Sequence, residues 1–326
     1  MPVTIYRVDL DTERLIPING GAFVDIAGPP DPDPDPTPDP PASWQDMVDS
    51  QDFAVVDAWY ETYTGYDGIN PNDEDDLPLA YEDLTPVGGA ILSSADGQVI
   101  EGMRGTSIRI RHNNVTVRRC LIEGGNLYGF YTNPTSGSSW TGTVVEFCTF
   151  FGGDPAVDKA AIHNSYRSSI AHTFRNCEIE GWSSGVLCLG GGNFEYCWTH
   201  NFYGSSVSGA HVSSFNARAN YIRFFRCYGT EGGSPIMSIY FDQNPCNNIT
   251  IQENILNGSG NNSPSYLLFF KVGEFSASAF NIVMGGNYLG DQYQYGLTAQ
   301  LGIIAWGTNG NVRTSNYEFL TGDPLD

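Results

Sequence analysis

An all-β chain of short strands, stacked coil upon coil, is the fold class this sequence predicts. Three observations carry that expectation: a strand–turn–strand unit that recurs eight times, one small residue at the centre of every copy, and a turn-rich, aromatic composition. The 326 residues include 38 Gly, 18 Tyr and 18 Phe, and only 16% are charged. That balance suits β structure with many tight turns better than a helical bundle.

Taken from the N-terminus, "TIYRVDLDTERLIPINGGAFVDIAG" alternates apolar and polar residues around an "NGG" turn. It is too short for a core of its own, so residues 1–27 are expected to be an attachment segment, ordered against a partner. Residues 28–41, "GPPDPDPDPTPDPP", can form neither helix nor ladder and predict an extended polyproline II spacer. At ~3.1 Å per residue it could hold two bodies roughly 40 Å apart. Residues 42–87 follow as a cap region. There "SWQDMVDSQDFAVVDAWYET" offers Ser43 as N-cap, Asp46 three positions on, and Trp44, Met47 and Val48 at helical spacing, which predicts one amphipathic capping helix. The acidic stretch after it reads as a solvated loop.

The repeat begins near Gly88. Its copies are "VTVRRCLIEG", "TVVEFCTFFG", "TFRNCEIEGW", "NFEYCWTHNF", "IRFFRCYGTEG", "ITIQENILNG", "IVMGGNYLG" and "VRTSNYEFL". The central column runs Cys120, Cys148, Cys177, Cys197, Cys227, Asn254, Asn287 and Asn316, at spacings of 28, 29, 20, 30, 27, 33 and 29. A unit of this size cannot bury both faces alone and must stack on its neighbours. In such a stack like residues lie about 4.8 Å apart. An inward-pointing turn residue must then be small: Cys fills space as a compact apolar group, and Asn hydrogen-bonds along its own ladder. A metal or redox column is the competing reading, but no CxxC pair supports it.

The unit "NNVTVRRCLIEGG" and its counterpart "NITIQENILNGSG" resemble the coils of right-handed parallel β-helix proteins, the superfamily of pectate lyases and bacteriophage tailspikes. The resemblance extends over roughly residues 88–326 and implies a single-stranded right-handed parallel β-helix of about eight to ten coils. It also implies a homotrimer, the usual state of the proteins it resembles.

In that superfamily, substrate lies along the strand that precedes each variable loop. The matching stretches here are "GFYTN", "AAIHNSY", "GVLCLGG", "GAHVSSF", "IMSIYFDQ", "LLFFKVG" and "GIIAWG". They offer Tyr131, His163, His211, Tyr240, Asp242, Lys271 and Trp306 as glycan-binding candidates, since sugars stack on aromatics and hydrogen-bond at their edges. The same aromatics also suit ordinary solenoid packing. No catalytic residue is assigned. A lyase would need a base, for which Lys271 or His211 could serve, and Ca²⁺, which Asp154 and Asp158 could hold. No aspartate cluster or arginine motif of the pectate lyase kind is present, so no metal site and no cofactor are called for. Glu123 and Glu180 occupy equivalent positions two coils apart, at roughly 10 Å, a marginal distance for a glycosidase pair.

A formal charge of −22 repels nucleic-acid phosphates and anionic membranes, and neither is expected as a partner. The N-terminus lacks the basic-then-apolar pattern of a signal peptide, and no apolar run approaches ~18 residues. Together with the resemblance, the order of parts implies a bacteriophage virion surface protein: a short tailspike, fibre or capsid-decorating spike. It would be held to a capsid or tail protein by residues 1–27 and turned towards host surface polysaccharide, with recognition expected rather than catalysis. The alternatives are a polysaccharide lyase or glycoside hydrolase acting as a depolymerase, and a bacterial β-helix adhesin.

Overall fold

The computed structural model describes residues 6–9, 14–17, 24–25, 43–70, 76–124, 128–132, 140–152, 160–164, 172–202, 213–230, 235–241, 247–258, 266–272, 280–291, 296–301 and 311–325. Contacts divide the chain into two units, Met1–Asp39 and Pro40–Asp326. In the first, Tyr6–Asp9, Arg14–Pro17 and Val24–Asp25 form an antiparallel three-stranded sheet, with Tyr6 opposite Pro17 and Arg14 opposite Asp25. The "NGG" turn and the Asp/Pro spacer lie outside the described residues.

The second unit is built almost wholly of parallel strands. From Thr85 onward the chain visits three sheets in rotation, and each strand pairs with the strand one full coil later. Among the described residues sheet 1 has eleven strands, running from Thr85–Pro86 to Pro324–Leu325, and only its last pair is antiparallel. Sheet 2 runs from Ala90–Leu92 to Gly296–Leu301 and sheet 3 from Val99–Glu101 to Val312–Arg313, with nine strands each. Alternation along each strand sends one set of side chains inward, so that like residues stack. Val117, Val145, Phe174, Phe194, Phe224 and Ile251 are consecutive neighbours inside sheet 3, and the rings of Phe174 and Phe194 lie 4.8 Å apart and nearly parallel.

The Cys/Asn column marks the corner between sheets 3 and 1. The residue before each of the first seven members turns the chain by entering the left-handed region: Arg119, Phe147, Asn176, Tyr196, Arg226 and Glu253 have φ between 49° and 56°, and Gly286 has 68°. For non-glycine residues that conformation costs on the order of 1 kcal/mol each. The column offsets the cost by satisfying the corner's backbone. Each cysteine thiol donates to a carbonyl two residues back, as Cys148 does to Glu146 at 3.4 Å. The asparagines do more: Asn254 Oδ1 accepts from the Cys227 amide at 3.0 Å, and Asn254 Nδ2 donates to Phe224 O at 3.1 Å. All eight members are 0–2% exposed. The six described cysteines are free thiols, and burial pushes those of Cys148, Cys177 and Cys227 well above their ordinary range.

Two helices stand where one was expected. Ser43 caps α1 (Trp44–Asp49) by accepting from the Asp46 amide at 3.2 Å. Gln51 then enters the left-handed region at φ 52°, which ends the helix, and Asp52 caps α2 (Phe53–Tyr63) by accepting from Ala54 N at 2.9 Å. Nor do the helices cap the end of the stack. Trp44, Met47, Val48, Val56, Trp59 and Tyr60 pack on Trp198, Tyr228, Ile255 and Phe319, which belong to the flank of sheet 1, several coils from its first strand. The reason lies in the partner surface: those outward positions of sheet 1 are aromatic or apolar and need cover. Tyr60 fixes the contact by donating to Arg226 O at 2.6 Å.

Candidate functional site

The outer face of sheet 2 holds the sequence-predicted positions that can be compared. Arg109, Tyr131, His163 and Leu187 are register neighbours on four consecutive strands, on the side opposite the buried column Ile108, Phe130, Ile162 and Val186. Tyr131 and His163 are therefore brought together, their rings 5.6 Å apart. Tyr128 completes a three-ring cluster: its ring is stacked on Tyr131 at 5.2 Å and lies 4.1 Å from His163.

Strict alternation would put Tyr128 and Tyr131 on opposite faces, and Tyr128 lies one residue before the stretch "GFYTN" from which Tyr131 is read. The strand departs from alternation because Gly129 and Phe130 are both buried. At Gly129 a Cβ would lie 2.7 Å from the Ala161 carbonyl and 3.1 Å from the Trp182 ring, so only glycine admits this approach. Trp182, 1% exposed, is held by donating Nε1–H to Phe150 O at 2.9 Å.

His163 does not stand out from the face as a groove residue would. It is 8% exposed, covered in part by the Tyr128 ring, and its Nδ1 is buried with no hydrogen-bond partner among the described residues. Burial lowers its pKa below the ordinary 6.5, partly opposed by a backbone hydrogen bond, so the imidazole is neutral at neutral pH. Two half-buried phenol rings and the exposed guanidinium of Arg109 form a patch that can stack on a sugar ring and bond its hydroxyls, with the His163 imidazole packed beneath the rings.

Tyr240 and Lys271 are direct register partners on the strands Met237–Phe241 and Tyr266–Val272. His211, Asp242 and Trp306 lie outside the described residues, as do Asp154 and Asp158. In the coils of His211 and Trp306 the described strands of sheet 2 are Phe215–Ala217 and Gly296–Leu301, while "GAHVSSF" up to Val212 and all of "GIIAWG" lie outside the described residues. Phe215 and Ala217 are both 0% exposed, and that inward pair fixes the strand. Glu123 and Glu180 are separated in register by Phe151, one strand between them.

The chain matches no protein-family model, no curated protein and no solved structure. Among the described residues no helix is long and apolar enough to cross a membrane.

Proposed function

We propose that Pro40–Asp326 is a right-handed, single-stranded parallel β-helix of the pectate-lyase-like kind. It is mounted on a bacteriophage virion as a short tailspike, fibre or capsid-decorating spike, and it recognises host surface glycan through the outer face of sheet 2. The Tyr128, Tyr131 and His163 cluster carries the recognition reading, because two stacked, half-buried phenol rings beside the exposed Arg109 guanidinium offer a sugar an apolar face and a hydrogen-bond donor together. The hand follows from the general preference for right-handed crossovers between parallel strands of one sheet. Mounting is supported by the order of parts: a separate small sheet unit, an Asp/Pro spacer, then the stacked coils. By analogy with the proteins it resembles, the assembled form is a homotrimer at the virion surface.

Antibody labelling of purified particles, read by electron micrograph, tests the reading. Label at the particle surface is the expected result, and particles free of the chain would refute it.

A further inference from the structure

We propose that Glu178, Glu180 and His200 form a binding site for one divalent transition cation of the zinc class, with a coordination position left open. The three residues sit on the outer face of sheet 1, where strands Glu178–Glu180 and Trp198–His200 pair in parallel and Glu180 is the register partner of His200. One ligand atom from each lies within 4.8 Å of the other two, and His200 Nε2 is 3.0 Å from Glu178 Oε1. A tetrahedral zinc site needs its donors about 3.4 Å apart, so binding requires the Glu180 carboxylate to close on the other two donors.

Supports outside the triad hold it in a ligating arrangement. Thr149 Oγ1 donates to Glu178 Oε2 at 2.9 Å, leaving Oε1 towards His200; Asn201 Nδ2 donates to Glu180 Oε1 at 3.0 Å. The imidazole is stacked on Trp198 at 3.8 Å, which fixes its plane. Such anchoring of the second carboxylate oxygen is what orients ligands in metal sites.

The charge at the triad is compatible with a cation, the sole cationic partner of Glu178 among the described residues being the imidazole of His200 itself. Among the described residues, no Lys or Arg forms an ion pair with Glu178 or Glu180. Excess negative charge around an imidazole and two carboxylates is matched by a divalent cation. The nitrogen donor selects the zinc class over Ca²⁺, which prefers an all-oxygen shell of six or more ligands.

Calorimetric titration of the chelator-stripped full chain with Zn²⁺, and separately with Ca²⁺, tests the site. One Zn²⁺ per chain and no Ca²⁺ binding are expected, with affinity weakened about tenfold or more in Glu180→Gln and in His200→Gln. Glu180→Gln keeps an oxygen for Asn201, so it carries the test should His200→Gln unfold; a melting curve on each variant shows which has happened. Paramagnetic Co²⁺ should quench Trp198 emission in the wild type and not in Glu180→Gln. Absence of Zn²⁺ binding, undiminished binding in the variants that fold, or Ca²⁺ bound as tightly as Zn²⁺ would each overturn the assignment.

Discussion

Asn254 donates its side-chain amide to Oδ1 of Asn287 at 2.9 Å, although 33 residues separate them in the chain. Asn287 repeats the gesture one coil on, donating to Asn316 Oδ1 at 2.8 Å and to Ile251 O at 3.2 Å, while its own oxygen also accepts the Asn254 backbone amide at 3.1 Å. Asn287 thus serves two corners at once.

Asn287→Leu removes that service without freeing space, so buried backbone groups at both corners lose partners. The expected cost is about 3 kcal/mol in denaturant unfolding, since each stranded buried group costs ~1–3 kcal/mol. Cys177→Ala, which deletes a filler bonded only through a thiol, should cost about half as much. Equal losses would show that the two residue types do the same job. Mild reductant should leave the melting temperature unchanged, because the described thiols are already free.

Stability should fall as pH drops from about 6.5 towards 4. His172 is buried in the core beside Phe130, and desolvation holds its pKa down to about 4. Below 6.5 the unfolded chain takes up a proton that the folded chain refuses, so the folded state loses up to about 3 kcal/mol by pH 4 and nothing further below it. His163, also lowered by burial, acts in the same sense, while Asp57 and Asp67, held up, act in the opposite one. Comparing urea midpoints of wild type and His172→Leu cancels the other groups. The variant should show the shallower pH dependence, and identical slopes would contradict the burial of this imidazole.

Two glycines should respond for different reasons. A Cβ at Gly152 would meet the Gly181 carbonyl oxygen at 2.2 Å, and backbone cannot yield, so Gly152→Ala should cost about 3 kcal/mol or fail to fold. At Gly286 the nearest atom would be 3.6 Å away and only the φ of 68° resists, so Gly286→Ala should cost about 1 kcal/mol. Thermal melts of both variants separate crowding from backbone strain.

A chain beginning at Ala42 should keep the melting temperature of the full protein, since the contact division falls between Asp39 and Pro40. It should no longer join particles. Truncated protein recovered on particles at full occupancy would refute attachment through residues 1–27.

The stacked strands were legible in the sequence because the corner demands a small buried residue once per coil, and Cys120 to Asn316 write that demand out at near-regular intervals. The flank position of α1 and α2 was not legible. Amphipathicity gives a helix a buried face without saying which surface it meets, and Trp198, Tyr228 and Phe319 read as solenoid aromatics until the strands are folded. Tyr128 escaped because it precedes the stretch "GFYTN", and the close packing at Gly129 that brings its ring to Tyr131 involves Ala161 and Trp182, which are distant in the chain. Glu178, Glu180 and His200 fall inside two repeat copies, where they read as outward polar positions; their meeting depends on the register between those copies.

Glycan binding by the outer face of sheet 2 is the claim on which the functional account rests. Its most direct test is an array of bacterial surface oligosaccharides probed with the wild-type chain and with Tyr128→Ala and Tyr131→Ala. Both substitutions remove half-buried rings and should leave the fold intact. The account predicts that the wild type binds at least one glycan, that both variants bind it about tenfold or more weakly, the loss expected for an aromatic stack worth ~1.4 kcal/mol, and that no cleaved product appears. Undiminished binding in both variants, or no binding across the array, would contradict it.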